Sequence, residues 1–192
     1  MLTRNELELI WNIECSSRRC IRGFLYYEAI NEPTKNRWKF TRNCIVETSI
    51  ILWCQVFGSR NEPTHFSKIF NSADTCLPFS LKDVQTRLQQ AANMTEDEYS
   101  EFWNTIKRTR DKFFVHNEFD VEVCPIFPDT IHMKNVCLEM RKILKEIVDN
   151  CESNDSEYQH QIEHFLNHYT NETFINEIQT DLPYIESASK EY

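Results

Sequence analysis

The feature of this sequence that most restricts its fold is the near absence of glycine, since only Gly23 and Gly58 occur in 192 residues. Sandwiches and barrels need many tight turns, and tight turns usually consume glycine because it adopts left-handed backbone conformations without strain. The chain therefore favours helices joined by few connections. At this length it can bury one substantial core but not two, so a single all-α domain is expected.

Capping residues and apolar residues at helical spacing define the predicted helices. Thr3 with Glu6 and Thr95 with Glu98 have the spacing of capping boxes, which begin helices, and Ser80 and Asp83 open a short helix between them. The predicted helices cover about 3–31, 34–57, 80–92, 95–117, 130–150 and 156–178, with a short helix at 65–70 and an extended segment at 119–128. Residues 1–180 are therefore expected to form a bundle of four or more long helices with a short accessory helix. Residues 181–192 are expected to be a loosely ordered tail.

The net charge of −9 is distributed unevenly along the chain. Residues 1–60 hold nine Lys/Arg and six Asp/Glu, whereas residues 151–192 hold one Lys/Arg and nine Asp/Glu. A protein that binds nucleic acid through its overall charge has a basic surface and an alkaline pI, and this chain has neither. Any RNA contact must therefore use a local basic patch, and the acidic end is interpreted as a solvated surface.

No segment of the sequence predicts secretion or membrane insertion. The first residues lack the apolar run of a signal peptide, and the longest apolar stretch, 45–57, is short and interrupted by Glu47 and Gln55. A cytoplasmic protein without membrane contact is expected. The eight cysteines have no Cys-x-x-Cys spacing and several occupy apolar helical positions, so they are interpreted as buried or free thiols.

The strongest chemical signal is the pair Arg110 and His116 on the fourth predicted helix. Both flank its apolar stripe, about 120° apart around the helix axis. Further cations in the same segment are typical of a phosphate-binding helix, and a histidine can transfer protons near neutral pH. These cations, the candidate RNA phosphate ligands, are Lys107, Arg108 and Lys112. The structural alternative is that Arg110 pairs with a carboxylate on a neighbouring helix while His116 caps the helix end.

The segment Arg110-Asp-Lys-Phe-Phe-Val-His116 resembles the motif of HEPN domains, in which an arginine and a polar residue precede a histidine, with four to six residues intervening. Five residues intervene here, and Asp111 fills the polar position. The chain is more similar still to the abortive-infection AbiU-type branch. That branch also has a long helix ending in a pattern like Leu52-Trp-Cys-Gln-Val-Phe57, followed by a loop and a short helix. The resemblance covers about residues 35–150.

This resemblance implies a helical bundle that forms a homodimer and brings two Arg/His pairs to one cleft. It implies a metal-independent endoribonuclease without cofactors, from a phage-defence or toxin–antitoxin system, with RNA and an antitoxin or other regulatory protein as partners. His116 would be the acid/base for attack of the ribose 2′-hydroxyl on the adjacent phosphate. Arg110 would stabilise charge on that phosphate, and Asp111 would orient its neighbours. Other members of the superfamily are non-catalytic dimerisation or protein-binding modules, and an Arg110 sealed by a salt bridge within one chain would favour that function.

A second group of polar residues lies at helical spacing elsewhere in the chain. His160, His164 and His168 recur every four residues and could share a metal-binding face. No glutamate follows the first of them as in a zinc protease, so a polar, solvated face is the expected alternative. Arg18 and Arg22 share a face of the first helix, where they could help hold RNA. The many carboxylates of the last predicted helix favour the alternative, in which both arginines pair with acids of that helix.

The remaining sequence features exclude some classes of function rather than indicate one. The four tryptophans fall near apolar helical stripes and are expected in the core. The sequence has no Gly-rich phosphate loop and no G-x-S-x-G segment. Nucleotide triphosphate chemistry of the P-loop kind is therefore not expected.

Overall fold

The computed structural model describes residues 1–30, 36–71, 77–111 and 129–190. Within these ranges every regular element is a helix, which confirms the predicted all-α class. The α-helices are α1 (Arg4–Ala29), α2 (Asn36–Phe57), α3 (Leu81–Ala91), α4 (Glu96–Thr109), α5 (Thr130–Asn150), α6 (Ser156–His168) and α7 (Asn171–Lys190), and a 3₁₀ helix covers Phe66–Asn71. None of the described helices combines the length and the apolar character needed to cross a bilayer.

Three helices begin at side-chain caps that the sequence predicts. In each capping box, the side-chain oxygen of the cap residue accepts a hydrogen bond from the backbone N–H three residues later, and the carboxylate at that position accepts one from the backbone N–H of the cap. The pairs are Thr3 with Glu6, Ser80 with Asp83 and Thr95 with Glu98. These bonds satisfy amide groups that a helix end otherwise leaves without partners, so α1, α3 and α4 start where local chemistry dictates.

The core is built around α1, which packs against α2, α5, α6 and α7. Its buried apolar face and that of α5 recur at helical spacing, as expected for helices that face a common core. Fully buried residues on these two helices include Leu7, Ile10, Ile13, Ile21, Phe24, Val136, Ile143, Leu144 and Ile147. α3 packs on α5, and α4 contacts α2, so these two shorter helices lie on the outside of the bundle.

The prediction of one continuous helix over 156–178 is wrong. α6 ends at His168 and α7 begins at Asn171. Between them the side-chain oxygen of Thr170 accepts a hydrogen bond from the backbone N–H of Thr173, as a helix cap does. The chain therefore turns at Thr170 and starts a new helix.

The segment expected to be a loosely ordered tail, 181–192, continues α7 as far as Lys190. The Tyr26 hydroxyl of α1 donates a hydrogen bond to the carboxylate of Asp181. This contact ties the second half of α7 to the central helix of the bundle.

The fourth predicted helix, expected to run to about residue 117, is described only as far as Asp111. Regular α4 ends at Thr109, and Arg110 and Asp111 continue it as a wider, π-helical turn. The rest of that predicted helix and the extended segment 119–128 lie outside the described residues.

The cysteine and tryptophan predictions agree with the described part of the structure. The six cysteines within it are free thiols, whereas Cys76 and Cys124 lie outside the described residues. Trp53 is fully buried in the core. Trp11 and Trp103 are partly buried and pack against this core, so the core prediction holds fully for Trp53 and in part for these two. Trp38 is partly buried.

Candidate functional site

Arg110, at the end of α4, is held by two carboxylates of its own chain. Its Nη2 atom lies 2.7 Å from the Asp111 carboxylate, and its Nη1 atom lies 3.8 Å from the carboxylate of Glu62, in the loop after α2. The side chain is 16% exposed. Burial disfavours its charged form, but the hydrogen bond with Asp111 and the charges of both carboxylates outweigh burial and raise the pKa of Arg110. It is therefore a permanent cation.

The two carboxylates around Arg110 are more accessible than the guanidinium. The Glu62 side chain is 35% exposed and the Asp111 side chain is 46% exposed. Arg110 is thus paired within one chain, but with its neighbour Asp111 and the loop residue Glu62 rather than with a carboxylate on a neighbouring helix, and the ion pair opens to solvent on the side of its carboxylates. The looser contact, 3.8 Å to Glu62, is the one that an incoming anion can displace most readily.

The other predicted site residues separate into two groups. His116 and Lys112 lie outside the described residues. Lys107 extends over the indole ring of Trp103, with its Nζ atom 4.3 Å from the ring centroid, whereas Arg108 is exposed. Of these two described cations, Lys107 lines a cleft and Arg108 does not.

The cleft that Lys107 lines has a volume of about 650 Å³ and lies between the end of α2, the 3₁₀ helix, α3 and α4. Among its described lining residues are three cations, Arg60, Lys82 and Lys107, and one carboxylate, Glu96. Within the described part of the chain, none of the three cations has a carboxylate within ion-pair distance. The cleft is therefore a basic patch on a chain whose net charge is −9, the local feature that an RNA contact would require.

One wall of the cleft is aromatic, with Trp103, Tyr99 and Phe66 among its lining residues. The Trp103 indole N–H donates a hydrogen bond to the backbone carbonyl of Phe57, at the end of α2. This bond fixes the orientation of the indole ring. Burial raises the pKa of Tyr99, so its phenol stays protonated.

The imidazole in the cleft, His65, is a structural group. Its Nδ1 atom accepts a hydrogen bond from the backbone N–H of Ser67 at 3.2 Å and lies 2.8 Å from the Ser67 hydroxyl, which assigns the ring proton to Nε2. Burial, together with the cations Arg60 and Lys68, lowers the pKa of His65 to about 4. It is therefore neutral at neutral pH, and its hydrogen bonds hold the start of the 3₁₀ helix.

The histidines of α6 form an exposed polar face. The rings of His164 and His168 are nearly parallel, with centroids 5.9 Å apart. The His160 side chain is 84% exposed, and its Nδ1 atom lies 3.4 Å from the Glu163 carboxylate. Among the described residues, no group of three or more His, Cys, Asp or Glu side chains is arranged to hold a metal ion.

The two arginines of α1, Arg18 and Arg22, form ion pairs within the bundle. Arg22 donates two hydrogen bonds, of 2.8 and 2.9 Å, to the carboxylate of Glu177 on α7, which confirms the predicted pairing with acids near the C-terminus. Arg18 instead pairs with Glu14 on its own helix at 3.2 Å. Both guanidinium groups also stack on the ring of Tyr169.

Comparison of the chain with models of known protein families, with curated proteins and with solved structures finds no match. The residues and geometry described above are therefore the basis for a functional assignment. Sequence reasoning found Lys107 but missed Arg60 and Lys82, because these cations come from separate elements and belong to no local motif. The aromatic character of the cleft also needed the structure, since Trp103 was expected in the core.

Proposed function

We propose that this protein is a cytoplasmic, metal-independent endoribonuclease of a phage-defence or toxin–antitoxin system, folded as a HEPN-like bundle and active as a homodimer. The single observation that carries the proposal is the cationic cleft one helical turn before Arg110, because it supplies the local positive charge that an acidic protein needs to hold RNA. The resemblance of the Arg110–His116 segment to the HEPN motif supports the choice of reaction. An antitoxin or other regulatory protein completes the proposed system.

In the proposed reaction His116 removes the proton from a ribose 2′-hydroxyl. The 2′-oxygen attacks the adjacent phosphorus, the bond to the 5′-oxygen breaks, and the 5′-oxygen takes the proton from the His116 imidazolium. The products are a 2′,3′-cyclic phosphate and a free 5′-hydroxyl. Arg110 stabilises the charge that develops on the phosphate oxygens. Imidazole and guanidinium groups can perform both tasks without a metal ion.

Asp111 and Glu62 position Arg110 in this proposal. The 2.7 Å contact with Asp111 holds the guanidinium at the end of α4, and the phosphate takes the place of Glu62 at Nη1, where the contact is 3.8 Å. Lys107, Arg108 and Lys112 contribute charge along the same segment and attract the RNA backbone.

The purified chain tests this function when it is incubated with single-stranded RNA in EDTA. Cleavage should leave 2′,3′-cyclic phosphate ends, and His116→Ala and Arg110→Ala should each abolish it. His160→Ala is the matched histidine control, since this exposed imidazole lies on α6 and should not affect cleavage. Cleavage of equal rate by His116→Ala and the unaltered protein would remove the catalytic assignment.

A second function, a non-catalytic dimerisation or protein-binding module, is favoured by one specific observation. The Arg110 side chain is only 16% exposed and is held by two carboxylates of its own chain. For such a module, the unaltered protein cleaves no RNA, and Arg110→Ala lowers the melting temperature. Sedimentation equilibrium of the unaltered chain would then show a dimer without any nuclease activity.

A further inference from the structure

The cationic cleft combines two surfaces that recognise different halves of one kind of ligand. Arg60, Lys82 and Lys107 provide positive charge, whereas Trp103 and Tyr99 provide flat apolar area. A simple anion uses only the first surface, and an apolar molecule uses only the second. A nucleotide carries both a phosphate and an aromatic base, and aromatic side chains stack on every base.

The size of the cleft also fits such a ligand. Its volume of about 650 Å³ lies within the range of roughly 300–1,000 Å³ typical of small-molecule sites. Several polar side chains at its edge are exposed and could hydrogen-bond to a base, among them Gln85 and Ser100.

A hydrogen bond in the structure also weakens the repulsion between a bound phosphate and the carbonyl groups at the end of α2. The carbonyl groups at the C-terminal end of a helix carry partial negative charge and repel anions. At the end of α2, the Phe57 carbonyl accepts a hydrogen bond from the Trp103 indole N–H. This donor compensates the carbonyl, and the same bond fixes the orientation of the Trp103 ring.

We propose that the cleft lined by Arg60, Lys82, Lys107 and Trp103 is a nucleotide-binding subsite. The base displaces Lys107 from the face of the Trp103 indole and stacks on the aromatic wall, and the three cations hold the phosphate. This inference rests on the proposed function, because it assigns the cleft to one nucleotide of the RNA strand beside the cleaved bond. Cleavage should therefore depend on the base at that position. The subsite also takes free nucleoside monophosphates, which allows it to be tested without the reaction.

The binding test titrates the unaltered full chain separately with adenosine 5′-monophosphate, adenosine and inorganic phosphate. Calorimetry measures each affinity, and the indole N–H signals in a ¹H–¹⁵N spectrum show whether a tryptophan is affected. Trp103→Phe identifies the Trp103 signal. We expect the monophosphate to bind and to shift this signal, with adenosine and phosphate each at least about tenfold weaker because each lacks one set of contacts. Equal binding of phosphate and the monophosphate would overturn the stacking half of the proposal.

Matched variants separate the cleft from the rest of the surface. Gln85→Glu adds negative charge to the cleft, whereas Gln90→Glu adds it to an exposed position of α3 outside the lining. The first should weaken binding of the monophosphate about three- to tenfold and the second should leave it unchanged. In the reverse direction, Glu96→Gln should strengthen binding about two- to threefold, with Asp97→Asn as its exposed neighbour and control.

These outcomes distinguish failure of the subsite from failure of the proposed nuclease. His116→Ala should lose cleavage and retain nucleotide binding. Cleavage of RNA without measurable monophosphate binding, or equal effects of Gln85→Glu and Gln90→Glu, would overturn the subsite alone. Specific binding of the monophosphate without any cleavage would support the subsite as a nucleotide site and overturn the nuclease alone.

Discussion

Gly23 of α1 lies so close to Ser49 of α2 that a Cβ atom on Gly23 would be 1.9 Å from the Ser49 Oγ atom and 3.3 Å from its Cβ atom. One turn earlier on α1, the Cys20 thiol lies 3.3 Å from the Ser49 carbonyl. The two helices therefore approach through backbone and small side chains at this point. Glycine is present here for its small size, since its φ angle is negative.

Gly23→Ala should lower the free energy of unfolding by about 1–3 kcal/mol because it overpacks this contact. The opposite contribution, the better helix propensity of alanine, is about 1 kcal/mol. Replacing Ser49 with alanine removes the clashing hydroxyl, so Gly23→Ala/Ser49→Ala should regain much of the loss. Urea denaturation of the two single variants and the double variant measures this coupling. Additive effects of the two substitutions would show that the residues do not touch.

Local sequence chemistry was enough to predict most of the helices. The caps at Thr3, Ser80 and Thr95 involve residues only three positions apart, so their hydrogen bonds could be read directly from spacing. The break at Thr170 uses the same chemistry, a side-chain oxygen bonded to the Thr173 amide. It was missed because apolar residues continue at nearly helical spacing on both sides, and that pattern outweighed a single threonine.

The candidate site could be predicted only in part, because its partners are distant in sequence. The cationic segment of α4 was visible, and Lys107 does line the cleft. The contact between Arg110 and Glu62 joins a helix end to a loop 48 residues earlier. Lys82 reaches the same cleft from α3. These contacts between residues distant in sequence depend on how α3 and α4 pack on the bundle. No local sequence pattern encodes that packing.

Glu14 should be one of the costliest charges to remove, because it neutralises buried arginine. Its side chain is fully buried, and its carboxylate lies 3.1 Å from Nη2 of Arg141, whose side chain is 6% exposed. Glu14→Gln leaves that guanidinium without a counter-charge, and should lower the free energy of unfolding by about 3 kcal/mol. Chemical denaturation of each variant measures the loss.

The matched control is Asp149→Asn, which breaks the pair between Asp149 and Lys145, whose side chains are both 42% exposed. It should cost less than about 1 kcal/mol, as exposed ion pairs usually do. Similar costs for Glu14→Gln and Asp149→Asn would contradict the buried position of Glu14.

His65 should make the fold less stable as the pH falls below neutral. The pKa of His65 is about 4 in the folded chain, below the ordinary value of about 6.5 expected when unfolded. Between these values the unfolded chain binds a proton that the folded chain does not, so stability decreases as the pH drops from 6.5 towards 4. The expected loss is on the order of 2–3 kcal/mol. Denaturation midpoints measured at several pH values in this window give the slope.

His65→Gln should flatten this slope, while His160→Gln, at an exposed position, should preserve it. The carboxylates of Asp83 and Glu98 do not interfere in the upper part of the window. Hydrogen bonds from their capping partners lower the pKa of both groups, so their stabilising contribution is present at neutral pH and is lost only in more acidic solution. An unchanged slope in His65→Gln would show that another group titrates.

Arg87 should control how firmly α3 is attached to the bundle. Its guanidinium donates two hydrogen bonds of 2.7 Å to Glu146 and one of 2.8 Å to Glu139, both on α5. A lysine cannot reproduce this forked geometry, so Arg87→Lys should behave more like Arg87→Ala than like the unaltered protein. Either change should lower the free energy of unfolding by about 1–3 kcal/mol.

The helix in which the loss of stability appears distinguishes a local role of the Arg87 ion pairs from a general loss of stability. Amide hydrogen exchange should accelerate in α3, at the buried positions Val84 and Leu88, before it accelerates in α1. Because α3 carries Lys82 to the cleft, binding of adenosine 5′-monophosphate should weaken in parallel. Lys145→Ala, which removes an exposed ion pair on α5, is the control and should change neither quantity. Uniform acceleration across the bundle in Arg87→Lys would mean that Arg87 stabilises the whole core rather than one helix.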